Sequence, residues 1–194
     1  HIDLPVDVLA LPYIAKARPA TGRVKSYDVD IGAVAARLKH AKTPVILVGG
    51  GAKGCDQALT MLAERLNAPV VMTINARGLM HGHPLGVPAS PTLGATRNLI
   101  GSEDLILALG TELGPTDYDH YGDHMMPPLA EMIRIDICQD QLSRHAAQMT
   151  ICSPLERVLP DLLAALAGVP AIDKGAGTAR AARARAAAWD EIGP

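Results

Sequence analysis

The feature that most constrains this chain is a series of short apolar runs separated by stretches of helical period. The runs are Val45-Ile46-Leu47-Val48, Pro69 to Ile74 (PVVMTI), Asp104 to Gly110 (DLILALG) and Met132 to Ile137 (MIRIDI). A run with almost no polar position has no wet face, so it suits a strand covered on both sides, as in a parallel sheet. Between the runs, Ile31, Val34, Ala35 and Leu38 recur at i, i+3, i+4 and i+7, and Leu59, Leu62, Ala63 and Leu66 do so again. A further helix is expected in the Pro91 to Ile100 region, and Met149 to Ile151 reads as a weaker fifth strand. Such alternation implies βαβ crossovers. The expected fold is therefore α/β: an open, mainly parallel, Rossmann-like sheet of about five to six strands with helices on both faces.

The last helix of the sheet region has the sharpest predicted boundary. Ser153-Pro154-Leu155-Glu156 reads as a capping box with Pro at the first helical position, Leu155, Val158, Leu159, Leu162, Leu163 and Leu166 form its stripe, and Gly168 ends it. Beyond it lie a linker and an Ala/Arg-rich helix whose Arg180, Arg183 and Arg185 are expected to form a solvated face, with Trp189 lacking a partner.

Composition narrows the function classes. A formal net charge of -2 gives no pull towards nucleic acid or an anionic membrane. No apolar stretch reaches the roughly 20 residues of a spanning helix, and the opening His1-Ile2-Asp3-Leu4-Pro5, without a basic region followed by an apolar one, does not read as a signal peptide. Three widely spaced cysteines, Cys55, Cys138 and Cys152, argue against a disulfide framework or zinc cluster and suit a reducing cytoplasm.

The first candidate site is the turn after the first run. Gly49, Gly51 and Gly54 satisfy G-x-G-x-x-G between a strand and a helix, where an anion can meet a helix N-terminus. The dinucleotide fingerprint also needs an acid about 20 residues on. Here the second run ends at Thr73-Ile74-Asn75, with no Asp or Glu between Glu64 and Glu103. The turn is thus either a structural corner or the border of a nucleotide, with Gly49, Gly50, Gly51 and Thr73 as the contacts. Asp136 interrupts an apolar strand near its C-terminal edge, where open α/β sheets bind ligands; it equally suits a carboxylate that accepts nearby backbone N–H groups.

Other polar clusters carry less. Asp117, Asp119 and Gly122 imitate an EF-hand start, but Tyr121 and Pro128 occupy ligand positions. His120 and His124 can share a helix face, with no third ligand at a recognised spacing. His81 and His83 are loop residues beside a glycine. No catalytic residue and no metal ligand is assigned.

The order of these features resembles the central domain of thiamine diphosphate-dependent enzymes of the acetolactate synthase and benzoylformate decarboxylase type. HIDLPVDVL is similar to the end of their pyrimidine-binding domain, and TPVILVGGGAKGCDQALTMLAERLNAPVVMTINARGLMHGHPLG to the first two strands of the central domain. EDLILALGTEL and MIRIDICQDQL resemble its later strands. The resemblance implies four segments: 1–12 closing the preceding domain, a linker at 13–27, the central domain at 28–168, and 169–194 leading towards a diphosphate-binding domain. It implies a 2-oxo acid decarboxylase or carboligase using thiamine diphosphate and magnesium held by the flanking domains, and a homo-oligomer, dimer or tetramer. Chemistry would then lie outside this chain. The family's FAD contacts fall, by position, on Gly94, on the turn Gly110 to Thr116 including Thr111, and on Asp136-Ile137. Glu112 and Thr116 stand where FAD-binding members carry arginine, which disfavours FAD; ADP or no nucleotide are the alternatives. The competing reading is a stand-alone nucleotide- or flavin-binding module of the same fold, and a third is a metal site on the His120/His124 loop.

Overall fold

The computed structural model describes residues 30–118, 131–168 and 176–193. The segments expected at 1–12 and 13–27, the linker at 169–175, and the residues Asp119, His120, Tyr121, Gly122, His124 and Pro128 lie outside the described residues.

The apolar runs form strands and the periodic stretches form helices. In chain order the elements are α1 (Ile31–His40), β1 (Pro44–Val48), α2 (Asp56–Leu66), β2 (Val70–Met72), β3 (Gly86–Val87), α3 (Gly94–Gly101), β4 (Leu105–Leu109), α4 (Pro115–Tyr118), β5 (Met132–Asp136), α5 (Gln139–Ser143), β6 (Met149–Cys152), α6 (Leu155–Ala165) and α7 (Gly177–Ile192). Single turns of 3₁₀ helix at Gly50–Ala52 and Ile74–Ala76 follow β1 and β2. The strands make one six-stranded sheet in the order β3-β2-β1-β4-β5-β6, parallel throughout. This is the doubly wound order whose direction of travel reverses between β1 and β4.

Strand period two divides the core. Ile46, Val48, Leu107, Leu109, Ile133 and Ile135 face one side, where the stripes of α1, α2 and α6 cover them. Val45, Leu47, Ile106, Ala108 and Met132 face the other, under α3 and α7. The central strands are fully buried, which is why they read as unbroken apolar runs.

The structure differs from expectation in four places. The second strand stops at Met72, because the chain turns into 3₁₀ geometry at Ile74. The two-residue β3 was not expected; Val70 N–H donates to Leu85 O (2.8 Å) and recruits it. The capping box does not form: Pro154 is extended (ψ 140°) and is itself the cap of α6, because Ser153 N–H is committed to Asp136 O (3.0 Å) at the sheet edge.

The largest difference is the tail. Instead of a solvated linker helix, α7 is packed on the sheet, burying Gly177, Arg180, Ala181, Ala184 and Ala188. Its small residues allow close approach; a Cβ on Gly177 would lie 1.8 Å from Asn67 O. Arg180 forms an ion pair with Glu103 across to the start of β4, both side chains being almost fully buried. It also donates to Pro44 O and Asn67 O (3.4 Å each). Burial pushes the Glu103 carboxyl up, against the downward pull of the Arg180 guanidinium. Arg185 donates to Pro84 O (2.7 Å) and Gly86 O (2.8 Å), tying α7 to β3. Of the three arginines read as solvated, Arg183 alone is exposed, and Trp189 is 71% exposed.

Candidate functional site

Loops leaving the C-terminal ends of β1, β2, β4 and β5 enclose a cleft of about 470 Å³ beside the point where the sheet's winding reverses. Crevices at that point are the ligand sites of open α/β sheets, because adjacent loops there run to opposite faces.

The glycine turn is first of all a corner. Gly49 N–H donates to Leu109 O and Gly51 N–H to Gly110 O, both at 3.0 Å. The β1 and β4 loops therefore touch backbone to backbone. A Cβ on Gly49 would lie 2.3 Å from Gly110 O, and one on Gly51 would lie 2.8 Å from Gly110 Cα. Gly110 itself has φ +55°, a left-handed conformation natural to glycine. Two of the amides that a pyrophosphate would need in a dinucleotide fold are thus spent on the neighbouring loop. The question raised by G-x-G-x-x-G has a packing answer at Gly49 and Gly51.

Gly49, Gly50, Gly51, Thr73, Gly110, Thr111, Asp136 and Ile137 all line this cleft, together with Lys53, Asn75, Glu112, Asp117, Cys138 and Gln141. Gly94 does not. It sits at the start of α3, where Glu191 of α7 receives the N–H groups of Gly94 (2.8 Å) and Ala95 (2.9 Å). Those two donations hold the Glu191 carboxyl below the usual range. His83 is also away from the cleft, with Nε2 3.3 Å from Glu64 Oε1.

Asp136 ends β5 and accepts the Cys138 N–H at 2.8 Å, so the carboxylate shapes the first turn of the loop it borders. Thr111 Oγ1 and Tyr118 Oη are 3.3 Å apart beneath the rim, and burial pushes the Tyr118 phenol far up. Leu113 carries the β4 loop through φ +54°, a costly conformation for a γ-branched residue that its burial enforces. Around the mouth, the lining holds the carboxylates of Glu112, Asp117 and Asp136 and, among the described residues, one cation, Lys53. Such a lining suits hydroxyl and amide donors, and its carboxylates weaken the attraction of an anionic group.

One functional-looking residue escaped the sequence. Arg134, two residues before Asp136 on the same strand face, is 1% exposed. Its Nη1 donates to Leu142 O (3.2 Å) and His145 O (3.3 Å), while Nε and Nη2 have no partner among the described residues. Burial lowers its pKa, against the pull of Asp136 and Tyr118. An arginine inside an apolar strand was the available signal. Gln141 Oε1, at the cleft, is likewise buried without a partner among the described residues. No group of three metal-ligating side chains occurs among the described residues. Nor is any described helix long and apolar enough to cross a membrane.

Comparison with known proteins supplies the family. Residues 31–162 match the model for the central domain of thiamine pyrophosphate enzymes. A probable 2-ketoarginine decarboxylase of Pseudomonas aeruginosa is 36% identical over 142 residues, covering 71% of this chain and 25% of the relative. A probable sulfoacetaldehyde acetyltransferase of Rhizobium meliloti is 33% identical over 184 residues, covering 86% of this chain and 30% of the relative. The X-ray structure of a candidate thiamin diphosphate-dependent enzyme from Mycobacterium smegmatis superposes with a TM-score of 0.61 at 22% identity, over 78% of this chain and 30% of that one. The chain thus spans less than a third of the length of these proteins.

Proposed function

The chain belongs to the thiamine pyrophosphate enzymes as their central domain, and on that premise we propose that it is the scaffold of a 2-oxo acid decarboxylase or carboligase whose reacting groups lie on flanking domains. The observation that carries this is the family match, which runs through all six strands from α1 into α6. Relatives named as a decarboxylase and as an acetyltransferase support both outcomes of such chemistry, loss of CO₂ and transfer of the acyl unit. Thiamine diphosphate, when bound, supplies the electron sink for a 2-oxo acid that loses CO₂. The described residues do not fit that cofactor: its diphosphate needs a metal bridge, and the cleft is carboxylate-lined without a metal-ligand group among the described residues. We assign thiamine diphosphate and Mg²⁺ to pyrimidine- and diphosphate-binding domains of the parent chain.

The domain limits follow the sequence: 1–12 closing the first of those domains, 13–27 linking, 28–168 central, and 169–194 leading to the second, with α7 docked on the central sheet on the way. A homo-oligomeric parent, dimeric or tetrameric, is part of the proposal, as is a cytoplasmic setting, which three free cysteines suit.

For the cleft, we propose a border to ADP or a similar mononucleotide in preference to FAD. Asp136 would accept ribose hydroxyls and Lys53 would meet the diphosphate, while Glu112 opposes that diphosphate, keeps the binding weak and stands where FAD-binding members carry arginine. The test is calorimetric titration of the purified chain, expected to be colourless. Thiamine diphosphate with Mg²⁺ should show no saturable binding below millimolar; saturable binding there would overturn the scaffold assignment. ADP should bind weakly and about fivefold tighter to Glu112→Ala, the change expected for one unit charge near 4 Å at a wet surface. An ADP affinity indifferent to Glu112 would overturn the nucleotide assignment alone.

A further inference from the structure

Two cysteines meet at the downstream ends of β5 and β6. Asp136 and Cys152 are register partners, so their side chains leave the same face of the sheet, and Cys138 lies two residues beyond Asp136. Backbone bonds fasten the same corner: Ser153 N–H donates to Asp136 O (3.0 Å), and Cys138 N–H to Asp136 Oδ1 (2.8 Å). Cys152 Sγ stands 3.4 Å from Ile137 O, an atom of the peptide unit that ends at Cys138. Within one planar trans peptide, the oxygen and the following Cα are about 2.8 Å apart. Cys152 Sγ is therefore no more than about 6 Å from Cys138 Cα. The two Cα atoms are then no more than about 9 Å apart, and since a disulfide spans about 4.4 to 6.8 Å between Cα atoms, χ1 rotation together with an inward shift of the Cys138 loop of up to a few ångström closes the bond.

The two thiols differ in access. Cys138 is half-buried and lines the cleft, open to small reagents, whereas Cys152 is buried behind it. Cys55, the third cysteine, belongs to the core beneath α1, α2 and α6. Access makes Cys138 the group for first attack, while burial pushes the Cys55 and Cys152 thiols up.

We propose that Cys138 and Cys152 form a reversible intramolecular disulfide when the protein meets a peroxide, with Cys138 oxidised first and Cys152 resolving it. In the first step the Cys138 sulfur attacks a peroxide oxygen. The O–O bond breaks and sulfur gives up two electrons; one peroxide oxygen stays on sulfur as Cys138 sulfenic acid and the other departs as water with the thiol proton. In the second step the Cys152 sulfur attacks the sulfenic sulfur. The S–S bond forms, the S–O bond breaks, and the hydroxyl departs as water with the Cys152 proton. A dithiol reductant reverses the bond by exchange. The bond would pin the ends of β5 and β6 across the Asp136 loop, and it rests on this geometry alone, whatever occupies the cleft.

The sequence makes the test direct. Trypsin separates Cys138 (Ile135 to Arg144), Cys152 (His145 to Arg157) and Cys55 (Gly54 to Arg65) onto three peptides. After hydrogen peroxide treatment of the native full chain, quenching with a thiol alkylator and digestion, the first two peptides should appear linked. The linked mass should fall two hydrogens below their sum, with Cys55 alkylated and dithiothreitol restoring all three thiols. Cys138→Ser should abolish the link and leave Cys152 alkylated, and Cys152→Ser should stop at a dimedone-trapped sulfenic acid on Cys138. Overoxidation of Cys138 beside a free Cys152 in the wild-type chain would overturn the proposal. So would a link between chains, or three intact thiols at a dose that oxidises free glutathione.

Discussion

Replacing Arg180 by methionine keeps an unbranched, flexible stem and removes the guanidinium with its charge, which leaves Glu103 alone beneath α7. The two side chains are 8% and 1% exposed, so water cannot take over the lost partner. Breaking a buried ion pair from one side typically costs about 3 to 5 kcal/mol, because the remaining charge stays desolvated. At about 2 to 4 °C per kcal/mol for a domain of this size, the melting temperature should fall by about 6 to 20 °C. The loss should also depend on pH. Burial raises the Glu103 pKa above its ordinary 4.5, and the Arg180 hydrogen bond and charge pull it down. Without Arg180 the folded-state pKa rises further, so the folded state holds the proton more tightly than the unfolded one. The stability this confers is fully present below the unfolded pKa and is lost as pH rises through the folded value. Urea denaturation followed by circular dichroism should therefore show Arg180→Met closer to wild type at pH 5 than at pH 8. The double variant Glu103→Leu with Arg180→Met should recover most of the loss, since an apolar pair of similar volume needs no desolvation. A loss below 1 kcal/mol, equal at both pH values, would mean that the pair is solvated and that α7 is not held as described.

Gly49→Ala should cost about 2 to 3 kcal/mol in denaturant titration, because its Cβ would meet Gly110 O, Thr111 Cα and Thr111 Cβ of the β4 loop, none of them the far end of a flexible side chain. Gly54→Ala, with φ +88° and open space around it, should cost only about 1 kcal/mol. Glu191→Gln should loosen the α3–α7 junction: the depressed carboxyl stabilises above its unfolded pKa and loses that effect as pH falls through the folded value. Wild type and variant should accordingly differ in amide exchange at Gly94 and Ala95 at pH 7 and converge at pH 3. Pro160 interrupts α6 on its exposed side, so Pro160→Ala should raise the melting temperature by restoring a helical N–H without disturbing the buried stripe.

The sheet was legible because its central strands are covered on both faces and so carry almost no polar residue to obscure them. β3 was not legible: two residues, Gly86-Val87, make no pattern, and only the neighbouring edge of β2 turns them into a strand. The tail misled for the opposite reason. An Ala/Arg helix looks solvated when arginine is taken as a surface residue, yet alanine is also what lets a helix lie close to a sheet, and one arginine can be buried if a carboxylate waits for it. Glu103 stands 77 residues away in the chain, and no local pattern connects it to Arg180.

The cleft shows where motif reasoning helps and where it stops. Gly49, Gly51 and Asp136 could be singled out because a glycine beside a strand end and an acid inside an apolar strand each demand a reason. That Gly49 and Gly51 serve Gly110 first could not be read, since it requires β1 and β4 to be neighbours, a fact of sheet order and not of spacing. The same adjacency carries a consequence for evolution of the site. With the Gly49 and Gly51 amides spent on the β4 loop, the nucleotide preference proposed for the cleft would rest on the side chains that the loops display, and these can change without disturbing the sheet. An arginine at 112 would cancel the net negative charge of the rim while Gly49, Gly51 and Gly110 kept the corner closed. The fold thus separates the part that must stay glycine from the part that sets what the cleft accepts.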